Sequence, residues 1–360
     1  MDKKPAESGK TKVKTTAKKK KGKKSARRVF GIVLIVVLLI AGAGFLFRKP
    51  LTALAFDLFV APTLENKLQE SYQPRGGGED NMTPTRVQNE PFSVLLLGSD
   101  RRSYEKTRGR SDTVMFAAVR PKESRVLLVS VPRDTYVQIV GRDANKDGQY
   151  DFDKLAHAYA FGGEQMSIDT VEQLLSHKID YYATINFQGI QDVVNAVGGV
   201  SLPITEDIEN KNPNHVKFKI EAGKPVYNGE EAMYYVRYRE DSDFNRTKRQ
   251  QIFLKALSDK VLNLSGITKV PELLDIMGDN FQTDMPPGSI TDLGKQVLMQ
   301  DTSPQISSFT IMGTGQKVNG IYYDQANEED LEYARSLIQN WMDPSTTPAT
   351  LKLPDRQDLD

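Results

Sequence analysis

The 360-residue chain has no cysteine and only three histidines, His157, His177 and His215. The first absence excludes disulfides, thiol nucleophiles, iron–sulfur clusters and every cysteine-containing zinc site. The second argues against a histidine-based metal centre, because no two of the three stand at ligand spacing. There is also no G-x-S-x-G elbow, no H-E-x-x-H helix and no P-loop. Chemistry must therefore rest on carboxylates, arginines, hydroxyls and bound cations.

What is present is unevenly distributed. Residues 1–28 carry 13 basic and two acidic side chains, whereas from Pro50 onward acids outnumber bases 45 to 33. Between the two regions lies Val29–Phe47, 19 residues without a charge. As a helix this run just spans a hydrocarbon core of about 30 Å. The basic block before it predicts a cytoplasmic N-terminus, hence a single-pass protein of the cell membrane with its bulk outside. Ala41-Gly42-Ala43 resembles a signal-peptidase site, but the apolar run continues past it and predicts an uncleaved anchor. The lysine run has no aromatic side chain, so a nucleic-acid partner is not expected.

The reading along the chain is a basic tail (1–28), an anchor (29–47), a juxtamembrane helix and linker (48–91), one domain (92–342) and a disordered tail (343–360). Leu51–Tyr72 reads as helical with a break near Pro62, and Gln73–Pro91 as a Gly/Pro linker. In the domain, Phe92–Gly98, Thr113–Val119, Arg125–Val131 and Tyr181–Phe187 are short apolar runs that read as strands. Helices are expected over 188–197, 228–239, 245–264, 271–280, 289–298 and 328–341. This mixture predicts an α/β layered fold with a mixed sheet.

Two clusters carry the functional reading. The first three strands, if joined as an antiparallel meander, bring Asp100, Asp112 and Arg133 to one rim. Read singly, the two aspartates are ordinary turn residues. Read together, they repel unless a cation lies between them, and Mg²⁺ accepts one or two carboxylates plus phosphate oxygens. The second cluster is Arg237, Arg239, Arg246, Arg249 and Gln250. The apolar stripe Phe253–Leu257–Val261–Leu264, extended backwards, meets Gln250, Arg249 and Arg246 at the start of a helix. Cations are unfavourable there unless an anion is bound, and the guanidinium fork suits phosphate oxygens. Asp241 and Asp243 offer the alternative of a structural counter-charge. The pattern reads as a diphosphate clamp.

Weaker signals do not change this. Asp143–Asp151 matches the front of a calcium loop, but Lys154 stands where the closing glutamate belongs. Ser103-x-x-Lys106 lies in a connecting loop without a following K-T-G.

The motifs LLLGSD (95–100), RGRSDTVM (108–115), SVPRDT (130–135), DKLAHAYAFGG (153–163), NFQGIQDVVNAVGGV (186–200) and YYVRYREDSDFNRTKRQQ (234–251) together resemble the LytR–CpsA–Psr family of cell-envelope proteins. The resemblance covers residues 92 to 257, and the polar stretch 144–151 departs from the pattern. It implies a three-layer α/β/α sandwich whose sheet and helices enclose an apolar tunnel for a polyprenyl chain. It further implies a phosphotransferase that moves an anionic glycopolymer, of teichoic acid or capsule type, from undecaprenyl diphosphate to peptidoglycan. Carried over by motif, Asp100 and Asp112 hold Mg²⁺, or Mn²⁺ in its place, and Arg133 acts with them in catalysis. Arg133, Arg237, Arg239, Arg246, Arg249 and Gln250 bind the diphosphate. A non-catalytic sensor of polyprenyl diphosphate and a lipid diphosphatase are the competing readings.

Overall fold

The computed structural model describes residues 53–75, 89–100, 108–212, 216–263, 273, 275–276, 278–300 and 304–355. The expected anchor, the basic tail, Ser103–Lys106, Leu264 and residues 271, 272, 274 and 277 of the expected 271–280 helix lie outside them. Among the described residues no helix is long and apolar enough to cross a membrane.

The strands are β1 (Phe92–Ser99), β2 (Ser111–Arg120), β3 (Arg125–Ser130), β4 (Tyr136–Gln138), β5 (Phe152–Lys154), β6 (Tyr181–Asn186), β7 (Ile208–Glu209), β8 (Lys219–Ile220), β9 (Phe281–Thr283), β10 (Gln305–Thr310), β11 (Gly313–Val318) and β12 (Ile321–Ala326). Helices are α1 (Ala61–Ser71), α2 (Leu155–Leu175), α3 (Phe187–Ala196), α4 (Gly229–Arg237), α5 (Asp243–Asn263), α6 (Pro287–Met299) and α7 (Glu328–Met342). Six strands form the central sheet in the order β10-β3-β2-β1-β6-β9. The meander β1-β2-β3 is antiparallel, while β6 and β10 add in parallel to β1 and β3, so the sheet is mixed as expected.

Strand alternation divides the sheet into two unlike faces. Leu95, Leu97, Val114, Phe116, Leu127 and Val129 join residues of α2 and α7 in one large apolar core. The opposite face carries Leu96, Thr113, Met115, Ala183 and Ile185, which line a cavity bounded by α3, α4 and α5. Leu96, in a central strand, is therefore only half-buried.

Three features depart from expectation. The break near Pro62 takes the form of a π-turn at Phe56–Val60, placed just before the proline in the first turn of α1. A proline has no N–H to donate and is best tolerated at a helix start. The segment 301–327, to which the sequence assigned no element, contains β10 and the β11–β12 hairpin. Asn319 and Gly320 form its two-residue turn, both with positive φ, 49° and 81°. The tail from Asp343 is folded as far as Asp355. Arg120, 2% exposed at the end of β2, donates to the carbonyls of Trp341, Asp343 and Thr346 and to Glu123. A buried guanidinium needs that many acceptors, and the tail supplies two of them, the Asp343 and Thr346 carbonyls.

Candidate functional site

The site begins at an irregularity in the β1–β2 pair. Gly98 faces Thr113 but Ser99 faces Ser111, which leaves Asp112 as the extra residue of a β-bulge. A bulge re-aims the side chain it inserts. In an unbroken strand Asp112 would share a face with Val114 and Phe116, both in the apolar core. The bulge turns it instead to the side of Thr113 and Met115, where it lines the cavity. Asp100 follows directly after β1; its carboxylate accepts from the Arg110 N–H, and its own N–H donates to the Arg110 carbonyl.

Arg133 follows β3 and returns to the same rim. It donates to Asp112 and lies 3.6 Å from Asp134, whose other oxygen accepts from Lys154 at 2.9 Å. Burial opposes ionisation of Asp134, but the Lys154 hydrogen bond and the charges of Arg133, Lys154 and Arg246 outweigh it and hold the carboxyl below its ordinary range. A depressed carboxylate stabilises the fold fully above its unfolded value of about 4, and loses that contribution as pH falls through the lower folded value. Asp134→Asn is accordingly expected to flatten this acid limb in melts recorded from pH 5 downward. At neutral pH it should cost roughly 1–3 kcal/mol, since Lys154 loses a buried acceptor. An acid limb identical to that of the native chain would assign the pH dependence to other carboxylates.

The arginine cluster comes from α4, the turn after it and α5. Arg237 lies over the Phe187 ring at 4.6 Å, and Arg237 and Arg239 are exposed at the rim. Arg246 is 5% exposed and lines the cavity with Gln250, Phe253 and Leu257. These four follow helical spacing along one face of α5, as the extended stripe predicted. Gln250 also donates to the Val236 carbonyl at 3.5 Å, tying α5 to the end of α4. Arg249 differs from the expectation. Its guanidinium donates to both oxygens of Asp241, at 2.8 and 2.9 Å, and to the Tyr238 carbonyl, and it stacks over the Tyr238 ring. It is not among the cavity-lining residues and instead braces the turn that carries Arg239.

The cavity measures 820 Å³, with Arg133, Arg237, Arg239 and Arg246 at its polar end and Leu96, Met115, Ile185, Phe253 and Leu257 along its walls. A second cavity of 340 Å³, walled by Val94, Val119, Met285 and Leu293, shares Ala183 and Phe281 with the first. From the residues alone neither cavity was legible, because the run LLL in β1 reads as a strand covered on both faces; an apolar tunnel was implied only by the family resemblance.

The donor set around Asp112 bears on the expected metal. No group of three acidic or histidine side chains that could hold an ion occurs among the described residues. Two carboxylates at one bulge suit Mg²⁺ only if phosphate or water oxygens complete its shell. Asp112 lines the cavity and is bound to Arg133, whereas Asp100 is not among the lining residues and accepts from the Arg110 N–H.

The cavity of this mixed α/β protein thus combines arginines with apolar walls. The LytR_cpsA_psr family matches residues 59–339, and the chain belongs to it. A relative from Enterococcus faecalis (strain ATCC 700802 / V583), polyisoprenyl-teichoic acid–peptidoglycan teichoic acid transferase TagU, is 33% identical over 325 residues, covering 89% of this chain and 98% of its own length. The crystal structure of B. subtilis TagV matches with a TM-score of 0.60 at 31% identity, over 73% of this chain and all of that one. A structure of TagT bound to LIIa-WTA matches with a TM-score of 0.56 at 28% identity, over 75% of this chain and 98% of that one.

Proposed function

We propose that this chain transfers a teichoic-acid-type glycopolymer from a polyprenyl diphosphate carrier to peptidoglycan, as the names of its relatives describe for them. One observation carries the reading: a single cavity combines arginines with apolar walls, and a second, apolar cavity shares Ala183 and Phe281 with it. A prenyl chain gains about 0.8 kcal/mol per buried CH₂, so the walls provide affinity. Arg133 and Arg246 bind the diphosphate where water is scarce, with Arg237 and Arg239 at the rim, and neutralise the charge that develops on the transferring phosphoryl. Arg249 acts on this site through the turn it braces. Asp100 and Asp112 would hold Mg²⁺, which would supply further charge neutralisation at the phosphate oxygens. The protein is anchored by residues 29–47, with the basic tail cytoplasmic and the site outside.

The test uses the full-length protein in detergent, a polyprenyl-diphosphate-linked polymer and purified sacculi. Polymer becomes covalently attached to the sacculi, attachment stops on chelation, and added Mg²⁺ restores it. Binding of the donor with no turnover under any ion would support the sensor reading instead. Release of free polymer with water as acceptor would support the diphosphatase.

A further inference from the structure

Exposed apolar side chains gathered into one patch, unlike those scattered singly, mark interaction sites. Two exposed rings of this chain belong to a cluster linked to the mouth residue Arg133 through Lys154 and Asp134. Phe152 is 55% exposed and Tyr322 47%, on β5 and β12. Tyr136 of β4 lies between the two elements: its ring centroid is 5.2 Å from Phe152 and 4.8 Å from the buried Tyr323. Lys154, opposite Tyr136 in the β4–β5 pair, sits 6.0 Å from the Tyr322 ring and 5.7 Å from Tyr323.

The strip is joined to the mouth by a short chain of contacts. Lys154 binds Asp134, and Asp134 neighbours Arg133, which lines the cavity. The Asp324 N–H donates to the Asp134 carbonyl at 2.9 Å, and Thr135 bridges to Asp324, so the hairpin carrying Tyr322 is fastened to the same residues. The Tyr322 hydroxyl donates to Asp324 at 2.6 Å, which fixes that ring. The Tyr322 ring is thus held in place, and a ligand laid on it costs little side-chain entropy.

We infer that this strip is the acceptor subsite, and that it binds the N-acetylhexosamine rings of a peptidoglycan glycan strand. The inference rests on the phosphotransfer reading above. A sugar ring has one face of C–H bonds polarised positive by adjacent oxygens, which matches the negative face of an aromatic ring. The strip suits an uncharged ligand, because its flanking charges, Lys154 and Asp134, are already paired with each other. The anionic head and the prenyl chain of the donor have their own places in the cavity. The remaining substrate is the acceptor, and it must reach the mouth from outside.

The test measures binding and transfer separately, with full-length protein in detergent. Polymer-stripped sacculi are cosedimented with the native chain, with Phe152→Ala, Tyr322→Ala and their combination, and with Phe152→Trp. Two stacking contacts account for about a tenfold change in affinity. The double variant should therefore bind sacculi about tenfold more weakly and show an equal rise in KM for the acceptor. Its kcat and its thermal shift with a short prenyl diphosphate should stay within twofold of native, and Phe152→Trp should bind as the native chain does. Sacculus affinity within twofold of native in the double variant, or no binding by the native chain, overturns the inference. So does loss of self-association in the double variant, which would make the strip a contact between copies. If the native chain binds sacculi through these rings but transfers nothing, the subsite stands and the phosphotransfer reading fails.

Discussion

A chain carrying Arg133→Ala is expected to remain folded and to transfer polymer roughly 10³-fold more slowly than the native protein. Arg133 is bound to Asp112 at the bulge, lies beside Asp134 and lines the cavity mouth. An arginine aimed at a transferring phosphoryl acts mainly on kcat, because the charge it stabilises is greatest in the transition state. Arg133→Lys should recover only part of the rate, since an ammonium cannot form the two parallel bonds of a guanidinium. Arg249→Ala provides the contrast. Its guanidinium is committed to Asp241, so the loss should appear in stability more than in turnover. Single-turnover rates with saturating donor decide the matter: an Arg133→Ala rate within threefold of native would leave the clamp to Arg246, Arg237 and Arg239.

Ending the chain at Asp343 should destabilise it by roughly 3–5 kcal/mol, despite removing only residues that look dispensable. The truncation takes away the Thr346 carbonyl from Arg120 and the Lys352 carbonyl from the Trp341 indole N–H, which it accepts at 2.7 Å. It also removes Leu351, which belongs with Trp341 and Leu337 to the main core. A buried charge that loses an acceptor costs far more than an exposed one, because water cannot replace it. Urea unfolding at neutral pH reads the difference, and a midpoint unchanged by the truncation would return the tail to the status of an appendage. Arg120→Met in the full-length chain separates the two contributions: it removes the charge and leaves Leu351 in place.

The elements that were legible in the sequence are those whose signal is local. FSVLLLG, TVMFAAV and RVLLVSV are predominantly apolar and became β1, β2 and β3. The meander they form followed from two connections too short for a parallel crossover. Strand β10 escaped because Ser307 and Ser308 interrupt its apolar pattern, although both are buried. The β11–β12 hairpin had a usable signal in Asn319-Gly320, the residue pair a two-residue turn favours. The bulge at Asp112 had none, because register is a relation between two strands and appears in neither alone. Arg246 and Arg249 illustrate the same limit on a helix. Periodicity places both near one stripe of α5, but only the path of the preceding turn decides that Asp241 takes Arg249.

The lock between Arg120 and the tail has a consequence for the order in which the fold can close. The Arg120 side chain and its Thr346 acceptor are 226 residues apart, and β3 remains an open edge until β10 is laid beside it. A ribosome builds the chain from the other end. The meander, α2 and the cavity walls are therefore complete in sequence well before the residues that seal them exist. During that interval a bare strand edge and an unsatisfied guanidinium are both open to water and to other chains. Contacts this distant must also overcome the entropy of closing a long loop, so they form late even once the chain is whole. Strand β10 and the Thr346 segment are thus a closure step: they decide when a nascent chain stops being vulnerable.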